Sequence, residues 1–267
     1  MRNQLAGLIA LVAGLAAGPM DAIAQDLTRE QVHAADEFAV NNTWFVLYHE
    51  LGHMLVDQLG LPVLGREEDA VDNIATFALL ALGSDTSDQA LIDASHGWML
   101  SDARYDSFYM SDFYDEHSLD LQRAFAITCL MVGNDRKKFR DAADHMEMDT
   151  GRQRSCADDY AQVETSLVAL LSPYIGEGAP IEVVYEDGGA DFGWAERILK
   201  RSKILEKTAE DIGSSFALPA PITIRATLCD EANAFYDSET REVLVCYELI
   251  GDYFDMLVAD MRSEESD

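Results

Sequence analysis

The sequence predicts an α+β fold, mainly helical through its first two-thirds, with a small mixed β-sheet and hairpin near the C-terminus. Helical periodicity bounded by capping residues runs through the first part of the chain. The composition changes near Pro173, and short runs suited to strands occur only after residue 180.

The elements follow in order. Arg2, the apolar run Leu5 to Ala17 and the small-x-small triplet Ala22-Ile23-Ala24 form an expected signal peptide, residues 1–24, cleaved to leave Gln25 first. The apolar run is shorter than the ~20 residues a membrane span needs. No stable membrane span is expected after cleavage, and the product is exported to a periplasm or beyond. Residues 25–267 are expected to form one domain, with a helical lobe over 25–175 and an α+β lobe over 176–267. Thr28, with Gln31 three residues on, is a capping-box start, and Gly60 suits a left-handed helix end. Further helices are expected over Glu67 to Leu82, Asp88 to Leu100, Ser118 to Val132 and Ala157 to Leu171. After residue 180 the expected strands are Ile181 to Tyr185, Ile222 to Ala226, Asn233 to Tyr236 and Glu242 to Cys246. A helix over roughly Trp194 to Ile212 separates the first two, Asp237 to Arg241 forms a hairpin loop, and Glu248 to Met261 closes the chain.

Composition sets further bounds. The 267 residues are 48% hydrophobic and 25% charged, as in a packed globular protein. The formal net charge of −30 argues against nucleic acid as a partner, since phosphate binding relies on Lys and Arg. Four cysteines in an exported chain favour disulfides. Cys129–Cys156 with Cys229–Cys246 is the most local of three pairings, and the second pair is expected to tie the two strands of a hairpin.

The chemistry concentrates in "YHELGHMLVDQLGLPVLGREEDAVDN", Tyr48 to Asn73. His49 and His53 lie four apart, so a helix presents both on one face to one metal ion. Glu50 follows the first histidine and reaches a water on that ion. Zn2+ suits such ligands, and a catalytic site leaves one position to water, which becomes acidic enough to attack near neutral pH with Glu50 as general base. Val46, Leu47, Met54, Leu55 and Val56 supply the apolar packing of a buried helix, and Gly52 leaves room for close approach. Candidates for the third ligand are Glu67, Glu68, Asp69 and Asp72, with His96 and His117 farther off. Glu68 and Asp72 share a helical face, which fits one as ligand and the other as acceptor of a ligating histidine's outer N–H. Glu67 and Asp69 each fall about 100° off that face and are read as solvent or rim.

H-E-L-G-H followed by E-D-A-V-D resembles the gluzincin pattern, H-E-x-x-H then E-x-x-x-D on a second helix. That resemblance implies Glu68 as the third zinc ligand and Asp72 as the residue supporting a histidine. With "PVLGREEDA" and "DEHSLDLQRAF", the longer string resembles a bacterial family of metallopeptidases labelled as a domain of unknown function. It implies a zincin-like helical lobe, a peptidase activity and a peptide or protein substrate. "NAFYDSETREVLV", Asn233 to Val245, resembles the thermolysin-like edge strand, whose Asn-Ala-Phe-Trp segment binds substrate backbone; this implies substrate contacts from Asn233 and Ala234. In those enzymes the strand precedes the zinc helix, whereas here it follows by about 180 residues, so a permuted gluzincin arrangement is expected. His117 is the first candidate for stabilising an oxyanion, ahead of Tyr105, Tyr109 and Tyr114. His33 and His145 are read as surface. The competing function is a non-catalytic zinc-binding or scaffold protein with a structural metal site, favoured if a protein side chain fills the fourth coordination position.

Overall fold

The computed structural model describes residues 27–105 and 107–264; the expected signal peptide lies outside them. Helix α1 spans Arg29–Leu59. Thr28 Oγ1 accepts from the Gln31 N–H at 3.2 Å while Gln31 Oε1 accepts from the Thr28 N–H at 2.8 Å. Gly60, at φ 60°, ends the helix and donates to the carbonyls of Asp57 and Val56. After a short loop, α2 spans Glu67–Leu82, with three acids in its first turn facing the positive end of the helix dipole. Helices α3 (Asp85–Asp102) and α4 (Asp120–Asn134) follow. The first starts three residues before the expected position because Ser84 and Ser87 form a reciprocal cap.

Helix α5, Arg136–His145, had no counterpart in the sequence expectation. It is a short, mostly charged helix that buries only Phe139 and Ala143. Helix α6 spans Thr150–Leu171 and starts earlier than expected, because Asp149 caps the N–H groups of Gly151 and Arg152. The one helix expected over 194–212 is two, α7 (Gly189–Ser202) and α8 (Ile204–Ser215). Lys203 between them adopts φ 62°, and this left-handed turn redirects the chain so that Ile198 and Leu199 before it and Ile204 and Leu205 after it are all buried. Helix α9 spans Tyr247–Glu264.

Strands β1 (Ile181–Tyr185), β2 (Ile222–Thr227), β3 (Ala234–Asp237) and β4 (Glu242–Cys246) form one mixed sheet in the order β1-β2-β4-β3. β1 and β2 are parallel, as are β2 and β4, while β3 and β4 make the antiparallel hairpin. The fold is thus the mainly helical α+β class with a small mixed sheet. Ile222, Ile224 and Ala226 of β2 and Val243 and Val245 of β4 alternate into the core.

Helix α1 packs against α2, α3, α9, β3 and β4. Its Phe45, Leu47, Leu51, Met54 and Leu55 are buried. Two polar ties fix it to α8, from Trp44 Nε1 to Thr208 Oγ1 and from Tyr48 Oη to Asp211 Oδ2, both 2.9 Å. The disulfides are Cys129–Cys156 and Cys229–Cys246. The second does not tie hairpin strands as expected: Cys229 lies in the loop after β2, and it fastens that loop to the end of β4, the parallel neighbour of β2. Among the described residues, no helix is long and apolar enough to cross a membrane.

Candidate metal centre

The site is assembled from α1, α2 and the segment before α4. Helices α1 and α2 run close together at Gly52, where a Cβ would stand 2.8 Å from Val71 Cβ. That approach lets the acids of one helix reach the histidines of the other. The pairing runs in opposite senses: His49 meets Asp72, and His53, one turn later, meets Glu67.

Glu68 Oε2 is the point of convergence. It lies 3.1 Å from His49 Nε2, 3.4 Å from His53 Nε2 and 3.1 Å from His117 Nε2. The oxygen is buried and makes no hydrogen bond in this arrangement. A buried carboxylate oxygen left orphaned amid three imidazole nitrogens is costly unless a cation joins them. Tetrahedral coordination with bonds of about 2.0–2.2 Å places neighbouring ligand atoms roughly 3.3–3.6 Å apart, close to the distances from Glu68 Oε2; ligand atoms of His49, Glu68 and His117 all lie within 4.8 Å of one another, a group His53 does not join. The donor set of imidazoles and a carboxylate fits a divalent transition metal. The four cysteine sulfurs are committed to disulfides and offer no thiolate.

Each imidazole turns its other nitrogen to an acid. Asp72 Oδ1 is 2.7 Å from His49 Nδ1, Glu67 Oε1 is 2.9 Å from His53 Nδ1, and Asp115 Oδ1 is 3.2 Å from His117 Nδ1. Asp72 is itself held by Arg123, with Nε donating to Oδ2 at 2.7 Å and Nη2 to Oδ1 at 2.8 Å. The Arg123 guanidinium lies 3.7 Å above the Trp98 ring.

A cavity of about 610 Å3 opens on this cluster. His49, Glu50, His53, Glu68 and His117 line it together with Asn233, Ala234, Phe235 and Tyr236. The distant "NAFY" segment and the histidine helix therefore share one cavity. β3 is one of the two outer strands of the sheet, and it is clipped to the end of α1: Tyr236 Oη donates to Asp57 Oδ2 at 2.8 Å and accepts from Gln58 Nε2 at 3.0 Å.

A family model described as "Putative metallopeptidase", DUF4344, matches residues 9–171 and 190–267. The chain belongs to this family. No curated protein and no solved structure matches it. In this metallopeptidase family member Glu50 and Glu68 are electrostatically distinct. Burial raises the carboxyl of Glu50, against the lowering pull of His49, His53 and the Tyr236 N–H. Burial acts in the same direction on Glu68, but the imidazoles of His117, His49 and His53 prevail and hold its carboxyl far below the usual range.

Glu67 and Arg123 escaped the sequence reading. Glu67, read as solvent or rim, is a partner of His53; because α2 runs opposite to α1, the earlier acid meets the later histidine, a relation that 100° steps on a single helix do not reveal. Asp69 accepts from Ser118 Oγ at 2.7 Å. Arg123 sits in the quoted "DEHSLDLQRAF" string, where a cation heading an otherwise apolar helical face was the available signal. Of the remaining histidines, His96 lies apart, with Nε2 3.7 Å from Asp260 Oδ2, and His33 pairs with Glu37 on the surface. Tyr105, Tyr109 and Tyr114 are exposed.

Proposed function

We propose that the protein is an exported, zinc-dependent metallopeptidase in which His49, His53 and Glu68 hold the metal and Glu50 is the general base. The observation carrying this reading is the orphaned Glu68 oxygen at the meeting point of imidazole nitrogens, with buried Glu50 on the same cavity wall. When bound, zinc supplies a Lewis acid that acidifies water and polarises the scissile carbonyl. Glu50 accepts the water's proton at its carboxylate and delivers it to the leaving amine; its raised proton affinity suits that exchange. Asp72 fixes the His49 ring through Nδ1, leaving Nε2 for the metal.

The substrate peptide lies extended along β3, adding a strand to the sheet edge, with Asn233 and Ala234 touching its backbone. This reading is supported by the cavity that β3 shares with the histidines and by the position of β3 at the sheet's edge. Export is supported by the signal-peptide pattern at residues 1–24 and by the two disulfides.

The test is metal analysis with digestion of a proteome-derived peptide library. Glu50→Gln is expected to keep one zinc per chain and lose hydrolysis, while Glu68→Ala loses the zinc. Unchanged cleavage by Glu50→Gln would remove the assigned base. A second reading, a non-catalytic protein with a structural metal, draws on the nearness of His117 to Glu68. Glu50 weighs against it, since a structural site has no use for a buried carboxyl beside its metal.

A further inference from the structure

We infer that His117 is a fourth, exchangeable ligand of the metal, so that the resting centre is closed and a substrate opens it by displacing this side chain. The inference rests on the metallopeptidase reading above and concerns how that site is regulated.

Three observations place His117 with the ligands instead of one atom farther out. Its Nε2 is 3.1 Å from Glu68 Oε2, the same distance as His49 Nε2. That oxygen has no hydrogen bond of good geometry, and His117 faces it alongside His49 and His53. Its Nδ1 faces Asp115 as the Nδ1 atoms of His49 and His53 face Asp72 and Glu67, the outer-shell pattern of a ligating histidine. A donor reserved for an oxyanion stands about 2.7–3.1 Å from that oxygen, outside the ligand shell.

Exchangeability follows from where His117 is carried. His49 and His53 are fixed in a buried helix, whereas the side chain of His117 is 48% exposed on an irregular segment. Its backbone is pinned by Arg66 Nη1, which donates to the His117 carbonyl at 2.8 Å, while beyond Glu68 its ring is held by Asp115 of the same exposed segment. His117 also lines a second cavity of about 300 Å3 with Tyr105, Phe108 and Tyr109, which gives the ring a place outside the metal cavity. Four protein ligands leave no coordination position for water, and hydrolysis needs one. Departure of the loosest ligand is the least disruptive way to provide it.

The first measurement uses the unmodified zinc protein: X-ray absorption at the zinc edge is expected to count three imidazoles, and a count of two with a water overturns the inference. The second uses Co2+ as a spectroscopic stand-in. In the wild type, azide is expected to leave the visible spectrum unchanged, whereas His117→Ala responds to azide and loses Co2+ to a chelator at least tenfold faster. Acetohydroxamate, a stronger bidentate ligand, is expected to bring both proteins to the same spectrum. An azide response equal in the two proteins, or no response of the wild type to hydroxamate, overturns the proposal. Hydrolysis of short peptides is expected to rise in His117→Ala; a fall of a hundredfold with unchanged spectra would make His117 an oxyanion donor. If no peptide is cleaved by any form while the three-imidazole count and spectral pattern hold, the peptidase reading fails and the ligand assignment stands.

Discussion

Arg123 grips Asp72 through both Nε and Nη2, at 2.7 and 2.8 Å, and the same carboxylate receives His49 Nδ1 at 2.7 Å. All three side chains are buried. The guanidinium lies over Trp98, so it is fixed by stacking as well as by charge. Arg123→Met should leave Asp72 as an uncompensated buried charge and cost about 3–5 kcal/mol of stability. Urea unfolding of the metal-free protein checks this, and Arg123→Lys, which cannot reproduce the two-pronged contact, should recover only part of the loss.

Glu67 makes a lighter contribution because it is more exposed than Asp72. Glu67→Ala frees the His53 ring to rotate, and metal affinity should fall about tenfold, the lower end of the range for outer-shell partners. The melting temperature of the metal-free protein should stay within about 1 °C, since little buried contact is lost. Competition with a chromogenic chelator measures the first quantity and calorimetry the second.

Gly52 sets the distance between the helices that carry His49 and Glu68. In Gly52→Ala the new methyl meets Val71 at 2.8 Å on the side-chain Cβ and 3.3 Å on the backbone Cα. The helices must part, costing about 1–3 kcal/mol despite the better helix propensity of alanine. Weaker metal binding should accompany the lower unfolding midpoint, and Gly52→Ala/Val71→Ala should restore much of both.

The two disulfides should separate by their effects. Cys129–Cys156 joins α4 to α6 in the core, and replacing both with serine should cost about 2–5 kcal/mol. Cys229–Cys246 fastens the loop that leads into β3. Its double serine variant should keep its zinc, measured by metal analysis, while peptide KM rises.

The histidine-bearing helix was legible in the sequence because its signals are local. The cap at Thr28 and Gln31, the stop at Gly60 and the i, i+4 spacing of the histidines need no knowledge of the rest of the chain. Long-range placement was legible only where a motif carried it, as Glu68 and Asp72 did. Helix α5 went unread because it is only ten residues long and mostly charged, with just Phe139 and Ala143 buried. The break at Lys203 went unread because a left-handed lysine has no sequence signature comparable to glycine. Glu67 required the relative direction of two helices, which spacing along one helix does not contain.

The placement of β3 bears on the order in which the molecule is completed. His49 and Glu68 are brought together by neighbouring stretches of chain, a low-contact-order event, whereas the rest of the cavity lining comes from residues about 180 positions later. A chain synthesised from its N-terminus can pair its histidines and acids long before Tyr236 exists to clip the wall to Asp57. A chain halted before residue 230 would hold the paired histidines and acids without a bench on which to lay a peptide, and without the β3, β4 and α9 surfaces that pack against α1.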